Sequence, residues 1–120
     1  MSTLTKTRHV LAIPNLKKST EFYQSKLGMK LDWGDDNWSF LSRDSFCVML
    51  GECKDAIDPE NLGDHQYFAY VETEDIDGFY KELSDNKTHI TSELEDKPWG
   101  QREFGIKTVD GHRIMFGEEI

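Results

Sequence analysis

Four histidines, two cysteines, three tryptophans and four methionines carry most of the chemistry available to this 120-residue chain. The histidines, His9, His65, His89 and His112, are scattered, and Cys47 and Cys53 stand alone. No His-x-His, HExxH or paired-cysteine spacing occurs, so no metal motif can be built from them. No nucleophile, base and orienting group form a recognisable set either, which leaves catalysis without metal unsupported. The tryptophans are more informative. Trp33, Trp38 and Trp99 fall at strand ends or in loops, where an exposed indole is costly unless it covers something. Asp32, Asp35 and Asp36 stand beside the first two, and Glu72 closes a run that contains Phe68 and Tyr70. Rings flanked by acids suit a flat, conjugated cation, because aromatic faces stack on planar groups and attract positive charge, worth roughly 0.5–2 kcal/mol per contact.

Such residues need a frame, and composition bounds it. The chain has the length of one domain with a substantial core. Its 23 acidic residues against 14 basic ones give a net charge of −9, a surface that repels phosphate backbones and argues against nucleic acid. The same charge attracts small cations, although solubility alone accounts for it equally well. No apolar run has the length of a membrane span. The polar, Thr-rich start lacks a signal-peptide core, so export is not expected. A cysteine within an apolar strand fits a reduced, cytoplasmic protein.

The elements repeat. An apolar strand, Val10 to Ile13, stops at Pro14; Asn15 caps a helix with Leu16, Thr20, Tyr23 and Leu27 on its inner face, and Gly28 ends it. Strands follow at Met29 to Trp33, Asn37 to Ser42 and Phe46 to Gly51. The stretch "ECKDAIDPENLGDH", with Pro59 and Gly63 as breakers, reads as a linker. The second half opens with "QYFAYVE". Asp75 then caps a helix with Ile76, Phe79, Tyr80 and Leu83 at i, i+3, i+4 and i+7. Strands near Ile90 to Leu94, Glu103 to Thr108 and His112 to Gly117 follow, the last two joined by an Asp110-Gly111 turn. "VMLGE" (Val48 to Glu52) nearly matches "IMFGE" (Ile114 to Glu118). The expected fold is therefore α+β, two βαβββ modules whose curved mixed sheets, each with its helix on the convex side, face a cleft. The modules span about 1–52 and 66–120, joined by a linker at 53–65 within one domain.

This paired module, "FY" and "LG" at Phe22-Tyr23 and Leu27-Gly28, and the closing stretch from Pro98 to Glu118 resemble the vicinal-oxygen-chelate superfamily of glyoxalases, bleomycin resistance proteins and dioxygenases. The likeness covers essentially the whole chain. "PWGQREF", Pro98 to Phe104, points to the bleomycin-binding branch more specifically than the shared "FY…LG" signature does. The resemblance implies that the positions used by metal-dependent members are Arg8, Met49, Phe68 and Met115. Arginine cannot ligate, phenylalanine has no donor atom, and thioethers are poorly matched to hard or borderline ions. No metal or other cofactor is expected. Alternation places His9 and His112 on the faces opposite Arg8 and Met115.

The branch further implies a drug cleft lined by the equivalents of Trp33, Trp38, Tyr70 and Trp99, with an acid at Asp32. Tryptophans at 33 and 38 replace the phenylalanines of the family pattern, and Glu72 replaces an aromatic. Met49, Phe68, Tyr70 and Met115 have an equally simple reading as core-filling residues, Trp99 as a loop anchor, and Asp35 and Asp36 as turn residues. The resemblance also implies a homodimer, with "TLTKTRHV" as an arm that could cross to the partner. The expected function is sequestration of an aromatic, cationic small molecule in a metal-free cleft at a dimer interface. The alternative is a metal-dependent enzyme of the same superfamily.

Overall fold

Each apolar run becomes a strand, and each Asn or Asp placed before an amphipathic run caps a helix. The computed structural model describes residues 2–3, 5–61 and 67–120. Leu4 of the N-terminal arm and the linker residues Gly63 and His65, with Gln66 of the "QYFAYVE" run, lie outside the described residues. The first module contains β1 (His9–Ile13), α1 (Leu16–Ser25), β2 (Lys30–Gly34), β3 (Trp38–Arg43) and β4 (Phe46–Glu52). The second contains β5 (Tyr67–Glu72), α2 (Ile76–Asp85), β6 (His89–Asp96), β7 (Gln101–Lys107) and β8 (Arg113–Glu119). One short 3-10 turn, Pro59–Asn61, interrupts the linker. The boundaries differ from the sequence-based ones by one or two residues at most strand ends, some extended and some shortened, because backbone pairing, not the apolar run, sets where the ladder begins and ends. No helix among the described residues is long and apolar enough to cross a membrane.

The two sheets have the same order, β1-β4-β3-β2 and β5-β8-β7-β6. In each, the first strand runs parallel to the last, and the remaining pairs are antiparallel. This is the mixed, twice-repeated sheet expected from the βαβββ pattern. Alternation then sorts the side chains. Leu11, Ile13, Leu41, Val48 and Leu50 face α1, while Ala69, Phe104, Ile106, Ile114 and Phe116 face α2, all in one buried cluster.

The repeated closing sequence has a separate job for each residue. Glu52 accepts the Leu16 backbone N–H at 2.9 Å, and Glu118 accepts those of Ile76 at 3.0 Å and Asp75 at 3.2 Å. Each glutamate thus satisfies orphan donors at the start of its own module's helix and complements the helix dipole. Asn15 and Asp75 complete the caps by accepting from Lys18 and Gly78. Gly28, at φ 65°, takes the left-handed conformation that ends the first helical segment.

One pH effect follows from these caps. The Leu16 N–H holds the Glu52 carboxyl below its ordinary value of 4.5. Its contribution is therefore complete above that value and is lost as pH falls through the lower, folded-state value. Glu52→Gln keeps an acceptor at the cap but cannot titrate. The gap in melting temperature between wild type and this variant is expected to narrow from pH 7 to pH 3.5. A gap that stays constant across this range would show that Glu52 does not act through its charge.

The modules join through their helix-covered sides. Arg43 donates to both oxygens of Glu82, at 2.6 and 3.2 Å, and lies 5.0 Å over the Phe79 ring. Lys26 and Asn86 exchange hydrogen bonds with each other's carbonyls. Ser19, absent from the inner face read from sequence, is fully buried because its hydroxyl donates to Asp110 in the second module's turn. Joining on this side leaves the helix-free face of each sheet at the surface.

Candidate functional site

On the helix-free face of the first sheet, Met49 stands between Val10 of β1 and Phe40 of β3, and Phe40 stands opposite Trp33 of β2. The rings of Trp33 and Phe40 meet edge-on at 5.2 Å. Trp38 lies flat on Gly51, where a Cβ would come within 2.8 Å of the indole. Gly51 is therefore the floor that lets the ring lie against the sheet. Asp35 accepts the backbone N–H groups of Asn37 and Trp38, which shapes the turn that delivers Trp38. Val10 is 62% exposed and Trp33 51%, so this apolar face is open.

The second sheet repeats the arrangement with different chemistry. Met115 pairs with Tyr70 and with Gly105, which leaves room for the methionine sulfur. Gly117 does for Tyr70 what Gly51 does for Trp38, since a Cβ there would collide with the phenol. The Tyr70 hydroxyl donates to Glu103 at 2.7 Å and reaches Gln101 at 3.4 Å. The Trp99 indole N–H donates to the same Glu103 oxygen at 3.0 Å. Glu103 is only 6% exposed, yet the Trp99 ring is 65% exposed. A buried carboxylate thus holds two aromatic plates at the surface. Desolvation of its oxygen, and then the bond to Glu103, push the Tyr70 hydroxyl well above the usual phenol range, so it stays a donor. Among the described residues nothing bonds the second Glu103 oxygen.

The structure brings Trp33, Trp38 and Met49 together on one open face and Tyr70, Trp99 and Met115 on the other. Glu72, opposite Gly117, lies at the edge of the second and adds negative potential at Tyr70. Asp32 sits at an irregularity in β2, held below the ordinary carboxylate range chiefly by the Ser42 hydroxyl, then by Lys30, with Lys6 acting at longer range. It is therefore already partnered. Phe68 is placed elsewhere. A register shift in β5 packs it against the core, edge-on to His9 at 5.6 Å and His112 at 5.9 Å. A bulge changes which face a residue takes, and strict alternation from Tyr70 misses it. Sequence reasoning also passed over Phe40 and Glu103; for Glu103 the available signal was an acid inside "PWGQREF", two residues before the glycine that faces Met115.

Metal fits these positions poorly. A guanidinium, two thioethers and a core-packed phenyl ring are no donor set for a hard or borderline ion. Among the described residues no three His, Cys, Asp or Glu side chains gather to hold one. A cavity of about 680 Å³ lies elsewhere, between the modules, lined by Met29, Phe46 and Phe79 and by the Arg43–Glu82 pair. Of the site residues read from sequence, only Glu72 reaches it.

Two four-stranded mixed sheets, each with one helix and one open, helix-free face, define a paired-βαβββ protein. Residues 6–116 match the family described as the Glyoxalase/Bleomycin resistance protein/Dioxygenase superfamily, and the chain belongs to it. It is 27% identical over 123 residues to a bleomycin resistance protein of Geobacillus stearothermophilus, covering 92% of this chain and 93% of that protein. Its fold is similar to a glyoxalase/bleomycin resistance protein/dioxygenase from Alicyclobacillus acidocaldarius, with TM-score 0.83, 14% identity and 97% and 92% of the two chains covered. It is also similar to the bleomycin-binding protein of bleomycin-producing Streptomyces verticillus, solved with copper(II)-bleomycin, with TM-score 0.76, 19% identity and 97% of both chains covered.

Proposed function

We propose that this protein sequesters a flat, cationic aromatic molecule in the cytoplasm, without altering it, in a metal-free cleft completed by a second copy of the chain. Residues 1–120 act as one domain in this reading. The observation that carries it is the pair of open faces, where Trp33, Trp38 and Tyr70 on strands and Trp99 in the turn between β6 and β7 stay exposed instead of entering the core. Trp38 and Tyr70 lie on glycines, Tyr70 and Trp99 are tied to Glu103, and Trp33 packs edge-on to Phe40, so little side-chain freedom is lost when a ring stacks upon them. The unused oxygen of Glu103, with Glu72 nearby, offers an acceptor for a cationic or N–H group of the ligand. The likeness to bleomycin resistance proteins supports the same ligand class. Large apolar groups left open on both faces support a dimer in which they are covered.

Calorimetric titration with bleomycin, with and without copper, tests this alongside tryptophan emission and mass spectrometry of the recovered ligand. Saturable binding, quenched emission and an intact ligand are the expected results. A chemically altered ligand, or stoichiometric nickel, zinc, manganese or iron in the purified protein, would overturn the reading in favour of an enzyme. A sedimentation mass of one chain at micromolar concentration would remove the second copy from it.

A further inference from the structure

The first open face has a positive end that a purely cationic guest does not use. Arg8, immediately before β1, places its guanidinium 5.3 Å over the Phe40 ring, on the face shared by Val10, Met49 and Trp33. Arg43 is paired with Glu82, and Arg102 with Asp77 and Asp96. Among the described residues Arg8 has no acidic partner, in a chain where acids outnumber bases 23 to 14. The acid at this end of the sheet, Asp32, is engaged by Ser42 and Lys30, 3.4 Å away, with Lys6 also acting on it. The second face repeats the feature. Arg113 precedes Met115 by two residues, stands opposite Tyr67 and Lys107, and has its Nε buried without an acceptor.

We infer that the ligand of the proposed cleft is amphoteric, carrying, besides its rings and cation, an anionic oxygen group (carboxylate, sulfonate or phosphate) that docks on Arg8. The inference rests on the ring-binding function proposed above and adds the second charge. A guanidinium is weakly hydrated, always charged, and presents a planar fork of donors that matches such a group in two parallel hydrogen bonds. The Phe40 ring holds it by cation–π attraction and leaves those edges available, which a carboxylate partner would have occupied. At the position that the superfamily resemblance assigns to a metal ligand, this chain keeps a fixed positive charge made of protein. The whole-molecule charge of −9 repels anions, so any preference for an anionic guest must come from local groups.

Two dyes sharing one ring system separate the terms: 8-anilinonaphthalene-1-sulfonate and its neutral counterpart N-phenyl-1-naphthylamine, titrated by fluorescence against wild type, Arg8→Ala and Arg8→Lys. The expected result is that Arg8→Ala weakens the sulfonate by at least tenfold and the neutral dye by less than twofold. Arg8→Lys should recover part of the sulfonate affinity through its point charge, and added salt should weaken only the sulfonate. Equal weakening of both dyes, or of neither, in a variant with unchanged circular dichroism overturns the inference and leaves the ring-binding function standing. If neither dye binds wild type, the inference fails, while the bleomycin titration above decides the ring-binding function separately.

Discussion

On the proposed ring-binding function, replacing Glu103 with glutamine is expected to reduce affinity for bleomycin by tenfold or more while leaving the protein folded. In the wild type one carboxylate oxygen accepts from both Tyr70 and Trp99. An amide oxygen bonds the same donors less strongly because it lacks the charge, and charge-assisted hydrogen bonds are roughly twice as strong as neutral ones. The amide nitrogen also points a donor toward the place where the proposed ligand's cationic group would need an acceptor. The stability cost should be modest, about 1 kcal/mol, since Trp99 is largely exposed and Tyr70 also reaches Gln101. Acrylamide quenching of Trp99, with Trp33 and Trp38 changed to phenylalanine, gives a readout independent of ligand. Loosening of the indole should raise its quenching rate in the glutamine variant. Unchanged quenching together with unchanged affinity would show that Glu103 positions neither ring.

Replacing its neighbour, Phe104→Ala, is expected to do the reverse, unfolding the protein or costing about 3–5 kcal/mol. Phe104 is fully buried, stacked on Phe116 at 5.2 Å and edge-on to Tyr80 at 5.1 Å, with Phe79 at 6.1 Å. Truncation removes the transfer free energy of a ring and leaves a void between β7 and α2. For a chain of this size that is a large share of a total stability of about 5–15 kcal/mol. Phe104→Leu keeps most of the volume and should cost less than about 1.5 kcal/mol, which makes the loss measurable where the alanine variant does not fold. Urea unfolding gives both values. A loss below about 1 kcal/mol for Phe104→Ala would mean that the core is not organised around this ring. The contrast between positions 103 and 104 follows from strand alternation: one side chain belongs to the open face, the next to the core.

Much of the fold was legible because it rests on local signals. Apolar runs bounded by Pro14, Gly28 and the Asp110-Gly111 turn place the strands. Asn15 and Asp75 place the helix starts, and the repeated "VMLGE" and "IMFGE" reveal the duplication before any coordinates. Alternation also foretold that His9 and His112 turn away from Arg8 and Met115. Their rings pack on Phe46 and Phe68, on the core side.

Three decisions belong to the tertiary structure. The shift in β5 packs half-buried Phe68 against the core, and a bulge of one residue leaves no periodic trace in a six-residue strand. Glu52 and Glu118 reach the helices of their own modules 36 and 42 residues away along the chain, a pairing that needs the sheet to form first. Glu103 joins Tyr70 to Trp99 because β5 and β7 flank β8. The sequence by itself therefore determined the element order, the family and the aromatic residues available for a ligand, since period, caps and turns act within a few residues. Which of those residues share a face, and which carboxylate holds them there, was decided only when strands distant in sequence came into register.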